Sequence, residues 1–354
     1  MKFPPATPRN PLRKPRGSAP HLRLRSKRQR LGGSLPWLGN WLLWGGMGLL
    51  LGQRLRSISQ PAHLQWWRVF PVSDSEGSLY SGQTELPLFQ WMAGGFLPWL
   101  AQGTGIPIEA VLRGVSVLAC LVILILCWNW GNFWGAGLWG LSPWVLTQGL
   151  EPGSEILGSL VLLCSCGVGS SFRWGGLALA CALTPKVWPL VLLLTGLWIS
   201  QQWPRQRWQG AGLILLVMGL SWLGRTDWLS VVTVSTLPTH RLSYSSGLAV
   251  LATLMLPLGL TLVRLGWPWS ERQHTLISLA SLGHVLWMGV LALLVWGPQV
   301  NGLQQSARWG LVVLPLLCLS AGGVLAEIPH PTWRRLLGSL LLSSSFLLSW
   351  QALT

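Results

Sequence analysis

Apolar residues run through this chain in long blocks from residue 35 to the C-terminus. The blocks fall at 35–52, 110–128, 133–149, 155–171, 174–184, 187–200, 209–224, 246–266, 275–296, 309–326 and 336–353. About 20 consecutive apolar residues cross a bilayer as a helix, so the pattern predicts an all-α, polytopic transmembrane bundle of about eleven spans. Several blocks are short or broken by Gly and Pro, which membrane helices tolerate where neighbours re-satisfy the freed backbone groups. The roughly ten-residue in/out alternation of a membrane barrel does not occur.

Composition sharpens this picture. Of 354 residues, 50% are hydrophobic and 10% are charged, whereas a soluble domain carries about a quarter charged residues. The net charge of +16 is uneven, because residues 1–30 hold ten Lys/Arg and no acid. This segment reads as a disordered basic tail, ahead of a transmembrane domain over 31–354. It suits a cytoplasmic N-terminus under the positive-inside rule, binding to anionic headgroups, or an organelle transit peptide. Nucleic acid is not an expected partner, since no stacking aromatics interleave the charges.

With the tail inside, residues 53–109 form an outer loop and juxtamembrane segment. Within it, 86–103 carries two prolines and is read as interfacial rather than crossing. The later loops then alternate. Arg173, Arg205, Arg207, Arg264, Arg272, Arg334 and Arg335 fall inside. Arg54, Arg56, Arg68, Arg113, Lys186, Arg225, Arg241 and Arg308 fall outside, so bases beyond the tail do not choose an orientation. Seven of the nine acids fall outside, which makes the outer face chemically distinct.

The six cysteines sit in apolar blocks without a CxxC pair and read as small buried hydrophobes. Among 26 tryptophans, Trp37, Trp41, Trp66, Trp67, Trp128, Trp130, Trp203 and Trp208 lie near span ends, as interfacial belts require. His284 reads as core. No internal repeat is evident, which weighs against an inverted-repeat transporter.

The candidate chemistry lies outside. The first outer loop reads Asp74-Ser-Glu76-Gly-Ser-Leu-Tyr80, and a carboxylate at a membrane surface can take a proton from an acceptor hydroxyl. The bland alternative is a solvated loop. Lys186, the only lysine beyond the tail, sits in Thr184-Pro-Lys-Val-Trp-Pro189. A lysine at a membrane break needs a partner, and a phosphate would serve; snorkelling to the headgroups is the alternative. His240, Arg241 and Arg308 add outer cations, though a single arginine at a span end reads more readily as a headgroup anchor.

In their order these pieces resemble the GT-C type integral-membrane glycosyltransferases, the superfamily of the protein O-mannosyltransferases and the aminoarabinose transferases. The resemblance rests on Asp74-Ser-Glu76…Tyr80, Glu85-Leu-Pro87-Leu-Phe-Gln-Trp91, Arg113 opening the second span, Thr184-Pro-Lys186-Val-Trp-Pro189, His240-Arg241…Tyr244 and Arg308-Trp309…Pro315. It covers about 65–325. The chain departs from the pattern where Ser separates the two acids, at Leu86, and at Trp309 in place of Tyr.

The resemblance implies inverting transfer of a sugar from a polyprenyl-phosphate carrier to a lipid, glycan or protein acceptor at the outer face. Asp74 would be the general base and Glu76 its assistant, or the two would share a divalent metal (Mg or Mn) where the subfamily uses one. Tyr80, Arg113, Lys186, His240, Arg241 and Arg308 would bind substrate and phosphate. The implied location is the bacterial inner or plasma membrane. A transporter, or a non-catalytic protein of the same fold, is the alternative.

Overall fold

The computed structural model describes residues 44–50, 88, 96–105, 108–149, 153–167, 170–199, 204–223, 254–263, 272–291 and 300–353. All of them belong to one compact unit, Leu43–Thr354. Every regular element among the described residues is helical, and each of the eleven apolar blocks contributes a helical segment.

The first helices are α1 (44–50) and α2 (Leu97–Thr104). Helix α2 carries Pro98 near its start and ends at Gly105, whose φ of 67° places it in the left-handed region that glycine adopts without a Cβ penalty. Its eight residues reach only about 12 Å, well short of a hydrocarbon core of about 30 Å.

The long stretch Ile108–Gly140 is helical throughout except at Asn132, with φ 61° and ψ −172°. There the chain folds back on itself. The Trp139 indole N–H donates to the Cys120 carbonyl at 3.2 Å, and a Cβ on Gly135 would lie 3.4 Å from the Cys127 carbonyl oxygen. In a straight helix those pairs would be about 28 and 12 Å apart. The stretch is therefore two antiparallel helices, α3 (108–131) and α4 (133–140), matching the separate blocks 110–128 and 133–149 of the sequence.

After a π turn, Val145–Gly149, come α5 (Ser154–Gly167) and α6 (Ser170–Leu183). A 3₁₀ turn, Pro185–Val187, leads into α7 (Trp188–Ile199) and then α8 (Pro204–Leu223). Helix α9 (Leu254–Val263), α10 (Arg272–Leu291), α11 (Val300–Glu327) and α12 (Pro331–Leu353) complete the described bundle.

Helix α11 is the axis. Leu311, Val312, Val313, Leu314, Leu316, Leu317, Cys318 and Ala321 are all buried, so it is apolar and covered on every side. It packs on α3/α4, α5, α10 and α12. Its contact with the α3/α4 hairpin is made by glycines: Gly131-Asn-Phe-Trp-Gly135 faces Gly322. A Cβ on Gly322 would overlap the Gly131 carbonyl and come within 2.6 Å of the Gly135 nitrogen. The missing side chains of these glycines let the backbones approach closely, as small residues do at membrane helix crossings.

Tryptophan and glycine pair elsewhere too. A Cβ on Gly167, Gly210, Gly310 or Gly338 would overlap the indole of Trp130, Trp174, Trp144 or Trp134 respectively. Trp139 and Trp144 are fully buried. Trp208 is 75% exposed, whereas the half-buried Trp130 lies with its indole against a glycine of α5. Trp37, Trp41, Trp66, Trp67 and Trp203 lie outside the described residues.

The outer surface is apolar. Leu118 and Ile125 of α3, Leu215, Leu216 and Leu220 of α8, Leu286 of α10 and Leu340 and Leu347 of α12 are exposed. Among the described residues two stretches are long and apolar enough to cross a membrane, Arg113–Gly140 and Trp309–Glu327. The first folds back at Asn132, yet its limb 113–131 alone reaches about 28 Å. Helices α5 and α7, of 14 and 12 residues, are shorter than that.

Candidate functional site

The contacts fix which helix ends lie together. Gly158 of α5 meets Thr184 and Val187 of the 3₁₀ turn, Ser159 meets Leu311 of α11, and Gly149 meets Cys120 of α3 and Leu311. One end of the bundle therefore gathers the early turns of α3 with Arg113, the start of α5, the Lys186 turn and the part of α11 that holds Arg308. The opposite end holds Asn132, the start of α6 with Arg173, and the turn between α11 and α12.

The Lys186 turn follows from its prolines. Pro185 disfavours the helical region for the residue before it, and Thr184 is extended at φ −147° and ψ 134°. Helix α6 ends there. The Trp188 backbone N–H bonds the Pro185 carbonyl and starts α7, while the Trp188 indole donates to the Cys181 carbonyl at 2.8 Å. Pro185, Lys186 and Val187 are all buried.

Lys186 is buried and has a partner within the protein. Its ammonium forms an ion pair with the Glu155 carboxylate, and the two side chains are 10% and 7% exposed. A carboxylate of the protein itself is thus a partner that makes this lysine tolerable. Glu155 lies in the first turn of α5, where a negative charge meets the positive end of the helix dipole. Gly158, one turn on, has no side chain to keep α5 away from Thr184 and Val187.

A second polar device lies beside the pair. Pro315 in α11 has no N–H for the Leu311 carbonyl one turn earlier. The Ser159 hydroxyl lies 2.7 Å from the Glu155 carbonyl and 3.2 Å from the Leu311 carbonyl. It thus offers a donor to the acceptor that proline leaves vacant. Next along α11, Trp309 is buried, and its carbonyl lies 3.3 Å from His284 Nε2 of α10, with the two rings stacked. His284 is fully buried, in keeping with its reading as a core residue.

The other predicted site residues fall out as follows. Arg113 is half-buried on α3, and Arg308 is placed by its backbone on α11. Asp74, Glu76, Tyr80, His240 and Arg241 lie outside the described residues. Among the described residues no group of three or more His, Cys, Asp or Glu side chains is arranged to hold a metal. Comparison with known proteins finds no matching family model, no similar curated protein and no matching solved structure.

Glu155 is the residue that sequence reasoning missed. A signal for it exists: it is one of two acids, with Glu151, between Glu109 and Asp227, and Lys186 is the only lysine beyond the tail. Lone opposite charges inside apolar helices tend to pair.

Proposed function

We propose that this chain is a multi-pass membrane glycosyltransferase that moves a sugar from a polyprenyl-phosphate carrier to an acceptor hydroxyl, with inversion. Asp74 is the general base, Glu76 supports it, and Tyr80, His240, Arg241 and Arg308 receive the substrate and its leaving phosphate. Arg113 opens the same face. Lys186, already paired with Glu155, contributes its charge from behind that face rather than as a free cation.

One observation carries this reading: the bundle brings Arg113, the Lys186 turn and the Arg308 position to a single end. A one-face site requires that, and the alternation of the apolar blocks along the sequence leads to the same grouping. The apolar exterior suits a bilayer, where every backbone polar group is satisfied within helices. About eleven crossings, with the N-terminus in the cytoplasm of a bacterial inner or plasma membrane, is the topology that accompanies it.

The test is Asp74→Asn, assayed as sugar transfer from a radiolabelled polyprenyl-phosphate sugar in isolated membranes. Loss of the base lowers transfer by about 10²–10⁴-fold; undiminished transfer overturns the reading. A transporter is the second reading, favoured by the buried Glu155–Lys186 pair at a helix break. In that case solute flux into proteoliposomes depends on Glu155 and is indifferent to Asp74→Asn.

A further inference from the structure

The opposite end of the bundle holds a second buried cation, and no acid among the described residues neutralises it. Arg173, near the start of α6, is only 7% exposed. Its guanidinium carbon lies 4.4 Å from the ring centroid of Trp198 on α7, itself 3% exposed. Among the described residues Arg173 Nε and the Trp198 indole nitrogen are both sealed from solvent and have no hydrogen-bond partner.

A buried charge without a counter-charge is costly, and so is each unmet donor. The neighbouring elements supply no acid: from Ile156 to Thr226 the sequence contains neither Asp nor Glu. They add positive charge instead. Trp174, adjacent to Arg173, lies against Gly210 of α8, and Arg205 and Arg207 precede that glycine by five and three residues. The backbone positions of Arg205 and Arg207, at the start of α8, thus lie at the same end of the bundle as the buried Arg173 and the unused indole N–H of Trp198.

We infer that this end of the bundle binds a phosphate group, with Arg173 as the anchoring fork, the Trp198 N–H as second donor and the indole face holding the guanidinium in place. Arginine matches phosphate with paired N–H donors, and basic pockets between helices at a membrane surface are suited to lipid headgroups. The site is separate from the proposed transfer reaction, which takes place at the Lys186 end.

The test uses the full chain, purified in detergent and stripped of lipid. It is titrated with dihexanoyl phosphatidylglycerol, with inorganic phosphate and with phosphate-free dihexanoylglycerol, and binding is read by native mass spectrometry and melting temperature. Arg173→Gln weakens phosphatidylglycerol binding by about tenfold, the scale of one charged hydrogen bond. Trp198→Phe keeps the aromatic face but removes the donor, and weakens binding by about threefold.

An Arg173-dependent effect of inorganic phosphate as well as lipid supports a general phosphate site. An effect of the lipid alone supports a headgroup site. Equal affinities for wild type and Trp198→Phe, or dihexanoylglycerol binding as tightly as phosphatidylglycerol, would overturn the inference. If Arg173→Gln fails to fold, Trp198→Phe decides.

Discussion

Helix α11 is held in two different ways along its length. Toward the Asn132 end, Gly322 lies against Gly131 and Gly135, and the contact exists because side chains are missing. Toward the Lys186 end, Ser159 faces the Leu311 carbonyl beside the buried Glu155–Lys186 pair, and the contact exists because polar groups need partners. In an apolar solvent, burying apolar side chains offers little drive for helices to associate, so close packing and internal polar contacts must supply it. The glycine seam fails by addition, whereas the charged contact fails by subtraction.

That contrast predicts a graded set of effects. The largest comes from halving the ion pair. Glu155→Leu leaves Lys186 buried and uncompensated, and should lower stability by about 3–5 kcal/mol in a denaturation series in detergent. Adding Lys186→Met should recover most of the loss. A double variant as unstable as the single one would show that the pair's charges are not what hold this contact.

The seam gives the next effect. Gly322→Leu must displace the backbone of α3 or α4, for an expected cost of about 1–3 kcal/mol. Gly212, on α8 with nothing within 4 Å of where a Cβ would sit, is the control. Gly212→Ala should be neutral or slightly stabilising, since alanine is the better helix former. Equal loss at both positions would mean that close approach is not the seam's contribution.

The smallest effect tests the hairpin that carries the seam. Asn132 holds φ 61° and ψ −172°, a region that glycine tolerates and other residues avoid. Asn132→Gly should therefore raise the unfolding midpoint, by the equivalent of about 1 kcal/mol. A lowered midpoint would mean that the asparagine side chain, rather than the backbone turn alone, is needed there.

Much of this is legible in the chain, and the legible parts share a cause. The apolar blocks form helices, and Thr184-Pro-Lys-Val-Trp-Pro189 forms a break, because both follow from backbone geometry within a few residues. The separation of 110–128 from 133–149 likewise matches the fold-back at Asn132. The packing of Trp130 is not legible, for the opposite reason. Its position near a span end is local information, but its contact with Gly167 depends on how α3 and α5 cross. Of the site residues, Lys186 shows in the sequence that it needs a partner, but that partner is 31 residues away on another helix.

The sequence by itself determined an all-helical, apolar body, the places where its helices stop, and a charge distribution too sparse for a soluble surface. Only the tertiary structure decided that Lys186 answers Glu155, that Gly322 meets Gly131 and Gly135, and that Arg173 lies buried over Trp198 without an acid among the described residues. Helix formation is set by neighbours along the chain. Which faces of two helices meet is set by packing between segments dozens of residues apart, and no local pattern encodes that crossing.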